Sequence, residues 1–178
     1  MLLLFDSAPF VYFRCITITM NAEIIIIRPY EHTDLDAVIE IFQSAVRVTA
    51  AKDYNEAQIQ AWSHVDRSRW EMRRMSRPTW IAIVENNPAG FIDLEPNGHL
   101  DMLFVHPEYN GKGVASALLQ TVEEAARKQN LTRIFTEASI TAKPFFEKRE
   151  FTVITSQLVE IRGQVLRNFP MEKWMERI

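Results

Sequence analysis

Cysteine is almost missing from this chain. Cys15 is the only one, so an intramolecular disulfide is excluded, and no Cys/His cluster has the spacing of a metal site. A reducing cytoplasm, without a structural metal, is the expected setting. Glycine and proline are also scarce, at five and eight residues, which argues against a disordered or low-complexity chain. There is no excess of basic charge. Twenty Lys and Arg stand against 23 Asp and Glu, for a net charge of −3 and a pI near 5.8. That balance disfavours general nucleic-acid binding, although a local basic patch stays open. Long apolar runs are lacking too. Met1 to Phe5 begins like one, but Asp6 interrupts it and Arg14 breaks the next. Neither approaches the roughly 20 residues of a membrane span.

What the chain does have is core-forming material: 47% hydrophobic residues, with eleven Phe and four Trp in 178 positions. That suffices for one domain. Residues 1–19 are expected to be an extension outside the core, with an added edge strand or a targeting segment as alternatives, and residues 20–178 to form the domain. Ile24 to Arg28 reads as a buried strand ended by Pro29. Thr33 offers an N-cap to a helix whose apolar face is Leu35, Val38, Ile39, Phe42, Ala45 and Val46. Asn55 can cap a short helix through Trp62, and Asp66 to Met75 reads as a polar, Arg-rich helix with a solvated face. Period-two patterning then predicts a hairpin, Trp80–Glu85 and Ala89–Leu94, turned at Asn86-Asn87, and a third strand, His99 to Val105. Val114 to Lys128 carries a strong amphipathic pattern with Glu123–Arg127 and Glu124–Lys128 pairs at (i, i+4). A strand (Arg133–Glu137), a short helix (Ala142–Lys148) and two strands (Phe151–Val159 and Gln164–Phe169) complete an α/β chain. The order predicts one mixed sheet with helices on both faces.

The most informative segment is Val105-His106-Pro107-Glu108-Tyr109-Asn110-Gly111-Lys112-Gly113-Val114-Ala115-Ser116. A strand runs into a loop with two glycines, and the longest helix opens at once. Such a junction points exposed amides and the positive end of the helix dipole at one spot, which suits a pyrophosphate. A plain glycine turn is the bland alternative. The loop is neither a Walker loop nor the three-glycine dinucleotide fingerprint.

This segment resembles the acetyl-CoA signature of the GNAT acetyltransferases, Gln/Arg-x-x-Gly-x-Gly/Ala after a strand ending Val-x-Pro. Asn110 takes the Gln/Arg position, Gly113 the invariant-type glycine and Ala115 the last position. A second stretch, Ser139 to Phe151, resembles the family's Asn-x-x-Ala-x-x-Phe-Tyr-x-Lys-x-Gly-Phe, with Ser139 for Asn, Phe146 for Tyr and Glu150 for Gly. The tail from Ile161 to Lys173, and Tyr54 to Trp62, are similar to a bacterial subgroup, the YafP-like acetyltransferases. The resemblance implies a mostly antiparallel twisted sheet with a splayed strand pair. It also implies acetyl-CoA as co-substrate, held by amides of Gly111, Lys112, Gly113, Val114, Ala115 and Ser116, with Phe104 and Val105 beside the pantetheine arm and Phe146 near its end. Dimers are common among relatives, so a homodimer is compatible with it.

Transfer of an acetyl group to a protonated amine needs a base. His99 and Asp101 stand two apart on the predicted third strand, so their side chains would share a face, as a base and its orienting partner or as a solvated pair. The family's Tyr often protonates the departing thiolate, and Phe146 has no proton to give. Ser139 is the preferred substitute donor, or else only a helix cap. A thiolate whose acid has a pKa of about 8.5 could also leave unaided. Tyr54, Trp62 and Asp93 are the candidate acceptor-binding residues. The reading that results is transfer of an acetyl group to a primary amine of a small molecule by direct attack in a ternary complex. A protein or peptide amine as acceptor, and a weakly catalytic acyl-CoA-binding module, are the alternatives.

Overall fold

The computed structural model describes residues 16–20 and 23–176, and the expectations for residues 1–15 lie outside them. Fourteen principal elements follow one another: β1 (Ile16–Met20), β2 (Glu23–Pro29), α1 (Leu35–Ser44), α2 (Glu56–Trp62), α3 (Arg67–Met75), β3 (Thr79–Val84), β4 (Asn87–Asp93), β5 (Leu103–Val105), α4 (Val114–Lys128), β6 (Arg133–Ser139), α5 (Lys143–Glu147), β7 (Thr152–Val153), β8 (Gln157–Ile161) and β9 (Gln164–Trp174). A π-helical turn, Ala45–Thr49, prolongs α1. Among the described residues no helix is long and apolar enough to cross a membrane.

The single mixed sheet expected from the sequence is in fact two antiparallel sheets. One has the order β1-β2-β3-β4-β5; in the other β9 pairs with β6, β7 and β8. They meet at one parallel bridge, His99 to Phe135, where Leu100 N donates to Phe135 O and Phe135 N to Gly98 O. Beyond that bridge β5 and β6 diverge, so one edge of β5 faces an open gap. The third strand is accordingly three residues long, not seven, because Leu100 to Met102 turns aside to serve other partners.

Helices cover both faces of the first sheet. On one, Val114, Leu118 and Val122 of α4 pack on Ile25, Ile27, Ala82 and Ile92. On the other, Leu35, Val38 and Phe42 of α1 and Trp70 of α3 pack on Ile81 and Phe91. β2 alternates between buried and open positions, with Ile25 and Ile27 buried and Ile24 largely exposed. A continuous β-branched run is therefore no guarantee of burial on both sides. Gly90 in β4 permits the closest approach: a Cβ there would lie 2.9 Å from Phe104 O, 3.0 Å from Val114 Cγ1 and 3.1 Å from Leu118 Cδ1.

Capping follows the sequence in part. Asn55 accepts from Gln58 N, and Asp66 from Arg69 N, as N-caps should. Thr33 is not the cap of α1: it lies in a 3-10 turn, His32–Asp34, that leads into the helix and carries a Glu31/Asp34 box, whose Asp34 also takes Arg28 through two hydrogen bonds of 2.7 and 2.8 Å. The hairpin turns at Glu85-Asn86, both at positive φ, one residue before the expected pair. On α4 Glu123 pairs with Arg127 as expected, whereas Glu124 accepts from Gln120. The strand expected over Phe151–Val159 is split into β7 and β8, and β9 runs five residues further than expected, because β9 alone pairs with three strands. Ile16 to Met20, mostly inside the expected extension, pair residue by residue with β2 as an edge strand.

Candidate active site

Two features converge on the gap between β5 and β6. The first is the junction into α4. Gly111 and Gly113 take φ of +77° and +88°, the left-handed region that side chains disfavour. Gly113 is the N-cap of α4, and Ala117 N is the first amide to find a helical acceptor, Gly113 O at 3.0 Å. Among the described residues the amides of Gly111, Gly113, Val114, Ala115 and Ser116 have no backbone acceptor, so they face outward as a group. Lys112 is the exception to the expected set, because its amide donates to Tyr109 O at 3.3 Å, while its ammonium lies 5.3 Å from the Tyr109 ring. Nothing lies within 4 Å of a Cβ built on Gly111, so the space over this loop is open. The Asn110 side chain donates to Thr49 Oγ1 at 3.0 Å and ties the loop to the π-helical turn. A cation that sequence reasoning missed completes the cradle: Arg149 donates to Ser116 Oγ, in the first turn of α4, with its guanidinium 5.2 Å from the Phe145 ring. A notch of free amides at a helix N-terminus with an arginine alongside is fit to hold a diphosphate.

The second feature is a cavity of about 800 Å³ that opens from the splay. Its apolar wall comes from Phe42, Tyr54, Trp62, Trp70 and Phe104, and Phe146 and Leu103 also border it. The rings interlock edge to face, with centroids 4.9 Å apart for Phe42 and Phe104 and 5.3 Å for Tyr54 and Trp62. Phe104 thus stands in the gap, whereas Val105 lies on β5 opposite Gly90 and borders the cradle side. Tyr54 also braces the second sheet: its hydroxyl donates to Arg167 O at 3.0 Å and accepts from Ile140 N at 2.9 Å. Burial pushes its pKa up, against the lowering effect of the Ile140 hydrogen bond.

The candidate catalytic residues do not assemble as expected. His99 and Asp101 share no strand face, since the segment between them is irregular. Asp101 is in the cavity wall, but its carboxylate is 3.1 Å from Arg77 Nη1 and it does not orient His99. His99 lies outside the cavity, stacked on Phe135 with its Nε2 2.7 Å from Glu137 Oε2. Ser139 borders the cavity and its hydroxyl accepts from Ala142 N at 3.1 Å, which is a helix-cap geometry. Phe146 is buried and packs edge-on against Phe151 at 5.0 Å, so the position has neither a proton nor spare room.

Asp93 is a correction. It is fully buried, at 0% exposure, and absent from the cavity wall, so it cannot meet an acceptor. It accepts instead from the amides of Asp101 and Met102, at 3.1 and 2.8 Å, and so holds the segment that departs from β6. Its counter-ion is Arg74, 3.1 Å away and 2% exposed. The expected solvated arginine face of α3 therefore has one member turned wholly inward, lying 5.5 Å from the Trp70 ring and 5.9 Å from that of Phe91. Burial dominates both charges, pushing Asp93 up to about 6 and Arg74 down, with each partner's charge opposing the change. Glu95, two residues on, pairs with Arg77.

Arg74 could not be found by pattern, since Arg73 and Arg74 are neighbours in one arginine-rich helix and only packing separates them. Glu137 carried one weak signal, a lone carboxylate in an apolar-polar alternation next to the signature stretch.

Comparisons agree with this geometry. The family described as acetyltransferase (GNAT) domain matches residues 50–174. An N-acetyltransferase of Escherichia coli strain K12, YafP, is 42% identical over 145 residues, covering 82% of this chain and 93% of its own length. The crystal structure of a GCN5-related N-acetyltransferase from Rhodopseudomonas palustris superposes with a TM-score of 0.82 at 31% identity, covering 89% of this chain and 98% of that one. The PaiA N-acetyltransferase of Thermoplasma acidophilum, solved in complex with coenzyme A, shares the fold at 24% identity and a TM-score of 0.66, over 84% and 98% of the two chains. With the family matching most of the chain and a relative this similar over nearly its whole length, the protein belongs to the GNAT acetyltransferases.

Proposed function

We propose that this enzyme transfers the acetyl group of acetyl-CoA to a primary amine of a small molecule, by direct attack within a ternary complex. The observation that carries the reading is the joining of the amide notch at Gly111–Ser116 to an aromatic-walled cavity through the open edge of β5. In this reading the notch and Arg149 take the diphosphate. The pantetheine arm runs beside Phe104 and Val105 in the place of a missing strand, and the thioester arrives where the cavity begins. PaiA was solved with coenzyme A, and a Salmonella typhimurium acetyltransferase of the same fold with acetyl-CoA, which supports the choice of carrier.

The cavity favours a small acceptor over a polypeptide. Its volume of about 800 Å³ falls within the roughly 300–1,000 Å³ range of small-molecule pockets. Attack needs an unprotonated nitrogen, so a proton acceptor is required at the cavity wall. Tyr54 and Trp62 would line the acceptor's apolar part. Phe146 leaves departure of the thiolate without the family's usual tyrosine donor. An unaided departure fits a thiol pKa of about 8.5.

The test is thiol release from acetyl-CoA against 2-phenylethylamine, spermidine, phenylalanine and a lysine-containing peptide. The reading expects amine-dependent release with at least one of the three small amines. Release only with the peptide would favour a protein acetyltransferase. Tight binding of coenzyme A without release to any of them would favour a binding module.

A further inference from the structure

Among the described residues Glu137 is the one carboxylate that both borders the cavity and pairs with an imidazole. It stands on β6, where that strand forms the far wall of the splay and lines the cavity, and its side chain is 40% exposed. One carboxylate oxygen, Oε2, is committed to His99 Nε2 at 2.7 Å; the other has no hydrogen-bond partner among the described residues. His99 stands behind it, outside the cavity wall and only 18% exposed, and its Nδ1 is 3.4 Å from Glu95 Oε2. Glu137, His99 and Glu95 therefore form a row that begins in the cavity and ends on the outside of the sheet.

The row is held stiffly. The His99 ring lies nearly parallel to Phe135, 5.0 Å between centroids. Its backbone donates to Asn97 Oδ1 and accepts from Glu95 N, at 2.9 and 2.8 Å, and forms the bridge that joins the two sheets. A surface ion pair between mobile side chains would have none of this framing.

We propose that Glu137 is the general base of this acetyltransferase and that His99 is its relay, accepting the amine's proton and passing it to the outer face of the sheet. The inference rests on the transferase reading above. In the step, an ammonium acceptor gives one N–H proton to Glu137, which hands it to His99 Nε2 while the Nδ1 proton leaves toward Glu95 and solvent. The freed nitrogen pair forms the N–C bond to the thioester carbonyl carbon, and the carbonyl π pair moves onto oxygen. Its return breaks the C–S bond, and the second proton lost by nitrogen goes to sulfur. Amide, thiol and one solvent proton result, and nothing is oxidised or reduced.

The charges around the imidazole suit this use. Burial pulls the His99 pKa down, but the hydrogen bond to Glu137 and the charges of Glu137, Glu95 and Asp101 outweigh it, so it stands above 6.5. Arg133, stacked on the same Phe135 ring, is neutralised by Glu172 at 2.9 Å. His99 thus holds a proton strongly enough to draw it from Glu137, and it is ready for another turnover only once deprotonated. The rate should therefore rise with pH through the titration of His99, a group standing above its ordinary 6.5.

The full-length chain tests this in two arms, with acetyl-CoA and the three small amines named above. In the kinetic arm, Glu137→Gln should lower kcat by about 100-fold or more, in the range of lost general-base catalysis, with KM for acetyl-CoA unchanged. His99→Gln should lose less rate but should flatten the rising pH limb, and Glu137→Asp should recover part of the activity. In the acceptor-free arm, the side-chain NMR titration of His99 should move down in Glu137→Gln. Wild-type kcat and pH profile in Glu137→Gln, or an unmoved His99 titration, would overturn the relay alone. Failure of the wild type to acetylate any of the three amines while binding coenzyme A would overturn the small-amine reading and the relay with it.

Discussion

Replacing Asp93 by asparagine should change how stability depends on pH, and the direction is opposite to that of an ordinary salt-bridged aspartate. Asp93 has no exposure, and its pairing with Arg74 does not compensate for burial. Arg74 Nη1 and Asp93 Oδ2 stand 3.1 Å apart without hydrogen-bond alignment, neither atom has a hydrogen-bond partner, and Arg77 Nη1 lies 3.6 Å from the same Oδ2. The folded-state pKa is consequently raised from 3.8 to about 6. A raised pKa means that between those two values the folded chain binds the proton more tightly than the unfolded chain does. The contribution to stability is full below 3.8 and is lost as pH rises through about 6. A displacement of roughly two pH units, at about 1.36 kcal/mol each, sets the whole effect at ~3 kcal/mol. Between about pH 4 and 7.5 the wild type should lose about 2 kcal/mol more than Asp93→Asn, which has no proton to exchange there. Urea unfolding of both proteins across that range, at constant slope with denaturant, measures the difference. Parallel stability profiles, or a wild type that gains on the variant as pH rises, would show that folding does not raise the Asp93 pKa.

Three further outcomes follow from single contacts. Gly90→Ala should cost about 1–3 kcal/mol in denaturant unfolding, because a Cβ would press on the Phe104 carbonyl and on two side chains of α4; an unchanged midpoint would show that β5 and α4 can yield. Tyr54→Phe should cost about 1–3 kcal/mol, since it strips hydrogen bonds from Ile140 N and Arg167 O at the end of the β6–β9 pair, and thermal unfolding reads this directly. Arg149→Met should weaken coenzyme A several-fold by calorimetry, with the deficit shrinking as salt is raised, and no change would exclude Arg149 from the diphosphate site.

Local signals carried the sequence reading a long way. Asn55 acts through a neighbour three residues distant and caps its helix as its chemistry suggests, and both glycines of the junction into α4 take positive φ. The amphipathic face of α4 is equally local, since a 3.6-residue period needs only one partner surface. What stayed hidden depends on strands brought together from far apart. Nothing in Gly98 to Val105 states that the first contact, at His99, is with Phe135 and that the remainder turns away from β6. Asp93 and Glu95 look alike in sequence, yet one is sealed against Arg74 and the other meets Arg77. The pairing of Glu137 with His99 spans 38 residues and replaces the His99–Asp101 pair suggested by spacing. A strand-based spacing rule fails where the strand itself is interrupted, and that interruption is what makes room for a ligand.

The proposed diphosphate site rests on the main-chain amides ahead of α4. Amide nitrogen and proton shifts recorded while coenzyme A is titrated into the protein test it most directly. Gly111, Gly113, Val114, Ala115 and Ser116 should move most, Lys112 should move less because its amide is already bonded, and Gly113→Glu should abolish the response. Saturation of the protein with coenzyme A while these five resonances stay in place would contradict it.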